Sequence, residues 1–524
     1  MGQAPRKGVG AMWEAGPVLD LDLLRADLVS AGYTLDGVQA RLGEQALAAL
    51  ARNTTAAARR VLGDATDLQA DAIRLWLLQL PVPAERLKGW GGLPGLLERG
   101  LLEVVGDDLR ATVELKPHGS AARQGWICSD PIPLDGRAQQ PRPDFVLGAS
   151  PASTTLAQLV PQRHFGRVLD LGTGCGIQVL HLDADEVVAT DLNPRALELA
   201  EISLGLSGVR ADLRTGSLYE PVAGERFDLI LTNPPYVIAP PGGSLVYREG
   251  GLAGDDLMRE VVTGAAGHLA PGGSLVVLGN WAHLAGEPWQ ERLASWLAPT
   301  GCDALVVQRE VLDPYEYIEI WLADAGLPGT DGYDASYGRW LDYFAALDIT
   351  GVGLGWVLLR NAGREQPDVR FEDWPHQVAQ PVGDALARHL DAVKAARTAE
   401  SQLLAARLRC APDVTQETYG LPGAADPQHI VLRQATGLCR AVAVDTALAA
   451  VVGACDGELP LGVLLGAVAR LLEVDADALT ADLLPRLRSL LADGLLEFTA
   501  SHRNPTGSAL EMPPTLEVDT KEQG

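Results

Sequence analysis

No apolar run in this chain approaches the roughly 18 residues needed to cross a bilayer, so no membrane partner is expected. Its six cysteines, Cys128, Cys175, Cys302, Cys410, Cys439 and Cys455, include no Cys-x-x-Cys pair, and its nine histidines show no ligand spacing. That pattern offers no metal site and suits reduced thiols in a cytoplasm. Basic residues are few: 42 Lys and Arg against 68 Asp and Glu leave a net charge of -26. No long run of one sign marks a basic groove. Non-specific nucleic-acid binding draws on counterions released by Lys and Arg contacts, so a coating of DNA or RNA is disfavoured. A folded RNA or a protein both stay open as partners. Residues 1–16 lack the apolar segment of a signal peptide or an anchor, and residues 1–17 are expected to be disordered.

A length of 524 residues exceeds what one core usually supports. Residues 18–124 read as a mainly helical amino-terminal domain, 125–325 as a central α/β domain, 326–498 as a carboxyl-terminal α+β domain and 499–524 as a flexible tail. Near each end a helix runs through glycine into a strand, as Leu96-Leu97-Glu98-Arg99-Gly100-Leu101-Leu102-Glu103-Val104 and as Leu490-Leu491-Ala492-Asp493-Gly494-Leu495-Leu496-Glu497-Phe498. Both resemble the passage from third helix to wing in winged-helix domains, although any helix can stop at glycine before a strand. Residues 383–409 read as one Ala-rich helix. The aromatic group Tyr333, Tyr337, Trp340, Tyr343 and Phe344 has the spacing of one buried helix face.

Between these flanks, βα alternation predicts a parallel sheet with helices on both faces. The strand Val168-Leu169-Asp170-Leu171 enters the turn Gly172-Thr173-Gly174-Cys175-Gly176, where bare backbone lets a ligand approach. Asp191 follows 21 residues after Asp170, at the tip of Val187-Val188-Ala189-Thr190, close to the offset at which a carboxylate accepts ribose hydroxyls. By itself, Asp191 is also an ordinary cap for the helix beginning at Pro194. A later strand, Phe227-Asp228-Leu229-Ile230-Leu231-Thr232, ends in Asn233-Pro234-Pro235-Tyr236. Ala304–Glu310 and Tyr315–Leu322 read as a terminal antiparallel pair joined by Asp313-Pro314.

With both motifs in this order, the chain resembles the S-adenosylmethionine-dependent N-methyltransferases of the Rossmann-like class, and the resemblance covers about residues 140–322. It implies a seven-stranded sheet and S-adenosylmethionine as cofactor. Asp170 would face the cofactor's methionine end, Gly172, Gly174 and Gly176 would admit it, and Asp191 would take the ribose. The segment Arg142–Ser150, preceding a helix capped around Ser153 or Thr154, would close over it. Many relatives hold the adenine amino group with an acidic residue where this chain has Ser217, so Ser217, a backbone amide or Asp212 is left to do so.

The Asn-Pro-Pro-Tyr loop points to a planar amino nitrogen as methyl acceptor. Such a nitrogen has a delocalised lone pair, and an enzyme must hold its N–H donors. The Asn233 side-chain carbonyl and the Pro234 backbone carbonyl would accept them, Pro234 and Pro235 would keep the turn rigid, and Tyr236 would stack on the acceptor plane. Tyr247–Leu257 is similar to the loop after this motif in release-factor glutamine methyltransferases, whereas Leu278-Gly279-Asn280-Trp281 looks more like ribosomal RNA guanine methyltransferases. The expected acceptor is an exocyclic base amine in RNA, ribosomal RNA above all. The alternative is a glutamine side chain in a protein of the translation apparatus. A non-catalytic cofactor-binding module is the reading from another class, and intact Asp170, Asp191 and Asn233 argue against it.

Overall fold

The computed structural model describes residues 19–119, 123–136, 142–241, 252–422 and 427–499. The expected disordered start, residues 247–251 of the loop after the Asn-Pro-Pro-Tyr motif, and the tail beyond Thr499 lie outside the described residues. Two compact units are present, Met1–Gln377 with Pro381–Asp384, and Val378–Gln380 with Ala385–Gly524.

The first unit is organised by an eight-stranded sheet: β1 Phe165–Leu171, β2 Ala184–Asp191, β3 Asp212–Thr215, β4 Phe227–Thr232, β5 Leu269–Leu284, β6 Asp303–Leu312, β7 Ile349–Arg360 and β8 Val369–Asp373. Their spatial order is β8-β6-β7-β5-β4-β1-β2-β3. Seven strands make the expected Rossmann-like sheet, and β8 extends its edge alongside β6. Strands β3, β2, β1, β4 and β5 run parallel. Only β7 is antiparallel to both its neighbours. Central strands are apolar along their length because both faces are covered: Val168, Leu169, Leu229, Ile230 and Leu231 are fully buried. Helix α3, Asp256–Ala265, adds Met258, Val261, Val262 and Ala265, the spacing of one helix face.

Register decides where the chemistry falls. Leu171 pairs with Thr190 on one side and Thr232 on the other, while Asp191 pairs with Thr215. The residues that follow these positions therefore emerge together at the carboxyl edge. The Thr232 hydroxyl donates to the Leu171 carbonyl at 2.6 Å and locks that edge between β1 and β4.

Three expectations are corrected. Tyr315–Leu322 is not a strand but lies in helix α4, Pro314–Asp324, because Asp313 acts as N-cap, accepting from the Glu316 amide at 2.9 Å, with Pro314 in the first turn. The antiparallel partner of β6 is β7, so a domain boundary at residue 325 would cut the sheet. The stretch 383–409 is not one helix: helices span Gly383–Ala396 and Glu400–Ala405, and Arg407–Cys410 is a strand.

Glycine makes the course of β7 possible. A Cβ on Gly355 would meet the Val307 carbonyl oxygen at 2.0 Å, and one on Gly353 would meet Gln308 Oε1 at 2.3 Å and Trp281 Nε1 at 2.5 Å. Those last two atoms are themselves hydrogen-bonded, Trp281 donating to Gln308 at 3.0 Å. The aromatic group of the helix Tyr333–Ala346 is core as expected, with Trp340 and Phe344 packed beside Tyr317.

In the second unit, Val414–Tyr419, His429–Gln434 and Ala441–Val444 form an antiparallel meander, and Arg407–Cys410 pairs with Asp456–Pro460 and Leu496–Phe498. Leu448, Val451, Leu461, Leu465, Leu483 and Leu487 form its core.

Candidate functional site

At the carboxyl edge of β1, β2 and β4 lies a cavity of about 240 Å³. Among its lining residues are Asp170, Gly172, Gly174, Asp191, Ser217, Asn233, Pro234 and Pro235. The turn after β1 is held by backbone bonds, with the Gly172 and Thr173 amides both donating to the Thr190 carbonyl at 2.9 and 2.8 Å. Gly172 and Gly174 have φ of 75° and 56°, and a Cβ at either would meet no protein atom within 4 Å. Side chains there would be strained and would project into open space.

Gly176 does not line the cavity. A Cβ there would come within 3.3 Å of the Ala200 Cβ, so this glycine serves the close approach of helix α2, Pro194–Ser207, to the turn. Tyr236 is also absent from the lining; its ring packs against the central core, and burial raises its hydroxyl pKa.

Asp170 is 1 % exposed and accepts the Thr173 hydroxyl at 2.6 Å. Burial pushes its pKa up to about 7, with the neighbouring Asp191 charge acting in the same direction. Asp191 receives the Gly174 and Asn193 amides at 2.9 and 2.8 Å. Burial raises its pKa as well, and these amides oppose the rise. Of the residues considered for adenine, Ser217 reaches the cavity, whereas Asp212 is paired with Arg214 at 2.7 Å.

Two amide oxygens stand out. Asn233 Oδ1 and Gln178 Oε1 are buried without a hydrogen-bond partner, and both residues line the cavity. A buried amide oxygen left bare costs stability, so native chains rarely leave one unless a ligand or water supplies the donor.

Sequence reasoning missed Gln178, and it missed the fastening of the segment above the cavity. Phe145, Val146, Leu147 and Gly148 form part of the wall. Val146 is tied to Asp130 twice, its amide donating to the Asp130 side-chain Oδ2 at 2.9 Å and its carbonyl accepting from the Asp130 amide at 3.0 Å. Asp130 in turn pairs with Arg195 at 2.5 Å. Asn193, the N-cap of α2, donates to the Asp144 carbonyl at 2.9 Å. The helix after this segment, α1 (Pro151–Leu159), is capped by Ser150 in a reciprocal arrangement with Ser153 rather than by Ser153 or Thr154.

A family profile described as methyltransferase small domain matches residues 148–293, which span Asp170, Asp191 and Asn233. Two profiles described as domains of unknown function match residues 30–112 and 387–498. A ribosomal protein uL3 glutamine methyltransferase of Bordetella pertussis is 31% identical over 245 residues, 42% of this chain and 78% of that relative. The chain belongs to this methyltransferase family. Two further relatives align over less. A uL3 glutamine methyltransferase of Bradyrhizobium diazoefficiens is 35% identical over 147 residues, 25% of this chain and 46% of the relative. A release factor glutamine methyltransferase of Xylella fastidiosa is 36% identical over 132 residues, 22% of this chain and 47% of the relative. The chain thus spans about half the length of these last two methyltransferases. Among the described residues no helix is long and apolar enough to cross a membrane, and no group of three or more His, Cys, Asp or Glu gathers as a metal site.

Proposed function

We propose that this protein is an S-adenosylmethionine-dependent methyltransferase acting on the side-chain amide of a glutamine in a protein of the translation apparatus. The observation that carries the reading is the bare Asn233 Oδ1 in the wall of a glycine-floored cavity. The residues present suit the cofactor. Gly172 and Gly174 leave room for it, Asp191 offers a carboxylate to the ribose hydroxyls, Ser217 lies where adenine is expected, and Asp170 offers a counter-charge to the cationic end. When bound, the cofactor supplies an electrophilic methyl group on a sulfonium, which departs as a neutral thioether.

The protein's own task is to present a poor nucleophile. Asn233 Oδ1 accepts one N–H of the acceptor amide, and the Pro234 carbonyl accepts the other. The nitrogen is thereby turned out of conjugation and toward the methyl group. Nitrogen gains the methyl and loses one proton to solvent, so the loop needs no strong base.

The nucleobase acceptor expected from the sequence gives way to the glutamine alternative. The aligned relatives are named for glutamine in uL3 and release factors, and a net charge of -26 suits a protein acceptor better than a polyanion. The test is transfer of labelled methyl from the cofactor into separate pools of ribosomal proteins, release factors and total RNA. Label recovered as N-methylglutamine supports the reading; label confined to RNA overturns it.

A further inference from the structure

After the glycine turn the chain reads Ile177-Gln178-Val179-Leu180. Three of these are ordinary core residues, at 6%, 0% and 4% exposure for Ile177, Val179 and Leu180. Gln178 is as deeply buried, at 4%, yet it is polar and lines the cavity. Its Nε2 donates to the Ser153 carbonyl at 2.8 Å, which fixes the amide's orientation. Turning the amide over would set its oxygen against that carbonyl, acceptor to acceptor. Its Oε1 is therefore held as a free acceptor with nothing in the protein to receive.

Asp170, on the other side of the glycine turn, is the second acceptor here, with one oxygen taken by Thr173. A buried carboxylate and a bare amide oxygen facing one cavity call for a cation carrying more than one N–H. A hydroxyl would satisfy one of them and leave the carboxylate's charge unanswered.

We propose that Gln178 Oε1 and Asp170 together receive the α-ammonium group of the cofactor's methionine moiety, which makes Gln178 a cofactor-binding residue. The assignment rests on the methyltransferase reading. It explains why a polar side chain occupies a position where both neighbours are core, and why that side chain is pinned at its nitrogen end to the first turn of α1.

Calorimetry with two nucleosides tests it. S-adenosylhomocysteine carries the ammonium, whereas 5′-methylthioadenosine keeps the adenosine and thioether but has no amino-acid portion. Gln178→Met preserves length and removes the acceptor. It should weaken S-adenosylhomocysteine roughly tenfold or more, the scale of a lost hydrogen bond to a charged group, with methylthioadenosine affinity and melting temperature held. Unchanged affinity for S-adenosylhomocysteine overturns the assignment, and so does an equal loss for both ligands. Should Gln178→Met melt early, the unaltered protein decides: equal binding of S-adenosylhomocysteine and its deamino analogue overturns it. An unaltered protein that binds neither nucleoside removes the methyltransferase reading and this assignment together.

Discussion

Cofactor affinity should fall as pH drops through neutrality, and Asp170 sets the slope. Burial of its carboxyl, opposed by the hydroxyl it receives from Thr173 and reinforced by the charge of Asp191, holds its pKa at about 7. A cation bound beside it favours the ionised form, so below pH 7 binding must first expel a proton. Each pH unit then costs about 1.4 kcal/mol, a factor of ten. Between pH 7.5 and 5.5 the affinity for S-adenosylhomocysteine should drop roughly 25-fold, then level off above pH 7.5. Calorimetry in two buffers of different ionisation enthalpy should detect close to one proton released at pH 6. Asp170→Asn should bind more weakly at pH 7.5 and lose most of the slope. A flat profile in the unaltered protein, or an unchanged slope in Asp170→Asn, would refute the reasoning. Stability of the free protein moves the other way. The folded pKa lies above the ordinary carboxyl value of 3.8, so the penalty for burying the ionised carboxylate is full above pH 7 and is relieved as pH falls toward 3.8.

Three further outcomes are expected. Asn233→Ala removes the acceptor for the reacting amide and should lower turnover on the order of 100-fold, with cofactor affinity within a few-fold; near-normal turnover would remove Asn233 from the mechanism. Asp191→Ala should cost on the order of 1 to 3 kcal/mol of cofactor binding by calorimetry, and unchanged affinity in a folded variant would reject it as the ribose ligand. His118 and His181 touch through their Nε2 atoms at 2.9 Å, and burial, followed by the His181 charge, pushes the His118 pKa down to about 4. The unfolded chain therefore takes up the proton first, and stability should fall by on the order of 2 kcal/mol as pH drops from 6.5 to 4, a loss that thermal melts of His118→Gln should lack.

The sheet and its binding edge were legible because strand apolarity and glycine punctuation are local signals. Asp170 and Asp191 sit at the carboxyl ends of their strands and Asn233 follows directly from one, and burial on both faces enforces the register of all three. Ser217 was legible as a position rather than as a chemistry. Tyr315–Leu322 misled because a short run with apolar residues at Tyr315, Tyr317 and Ile318 suits either period, and the Asp313-Pro314 cap was the signal that should have decided it. Gln178 carried a usable sign, a lone polar residue inside an apolar run, but its meaning depends on Ser153, which comes near only in the fold. The ties that reach the segment above the cavity, from Asn193 directly and from Arg195 through Asp130, join residues up to 65 apart in sequence. No local pattern announces them.

Strand β7 has a consequence for the order in which the molecule can assemble. It inserts between β5 and β6, which precede it in the chain, so these two cannot become neighbours by themselves. Until residue 360 has left the ribosome, the growing sheet has a slot one strand wide, with β5 and β6 each presenting an unpaired apolar edge. If the chain folds as it is made, the strands on the binding side are expected to form before the far strands join them. A fragment ending near residue 325 should keep the cofactor-side strands yet associate through those edges, and the peptide Ile349–Arg360 supplied in trans is the natural agent to close it.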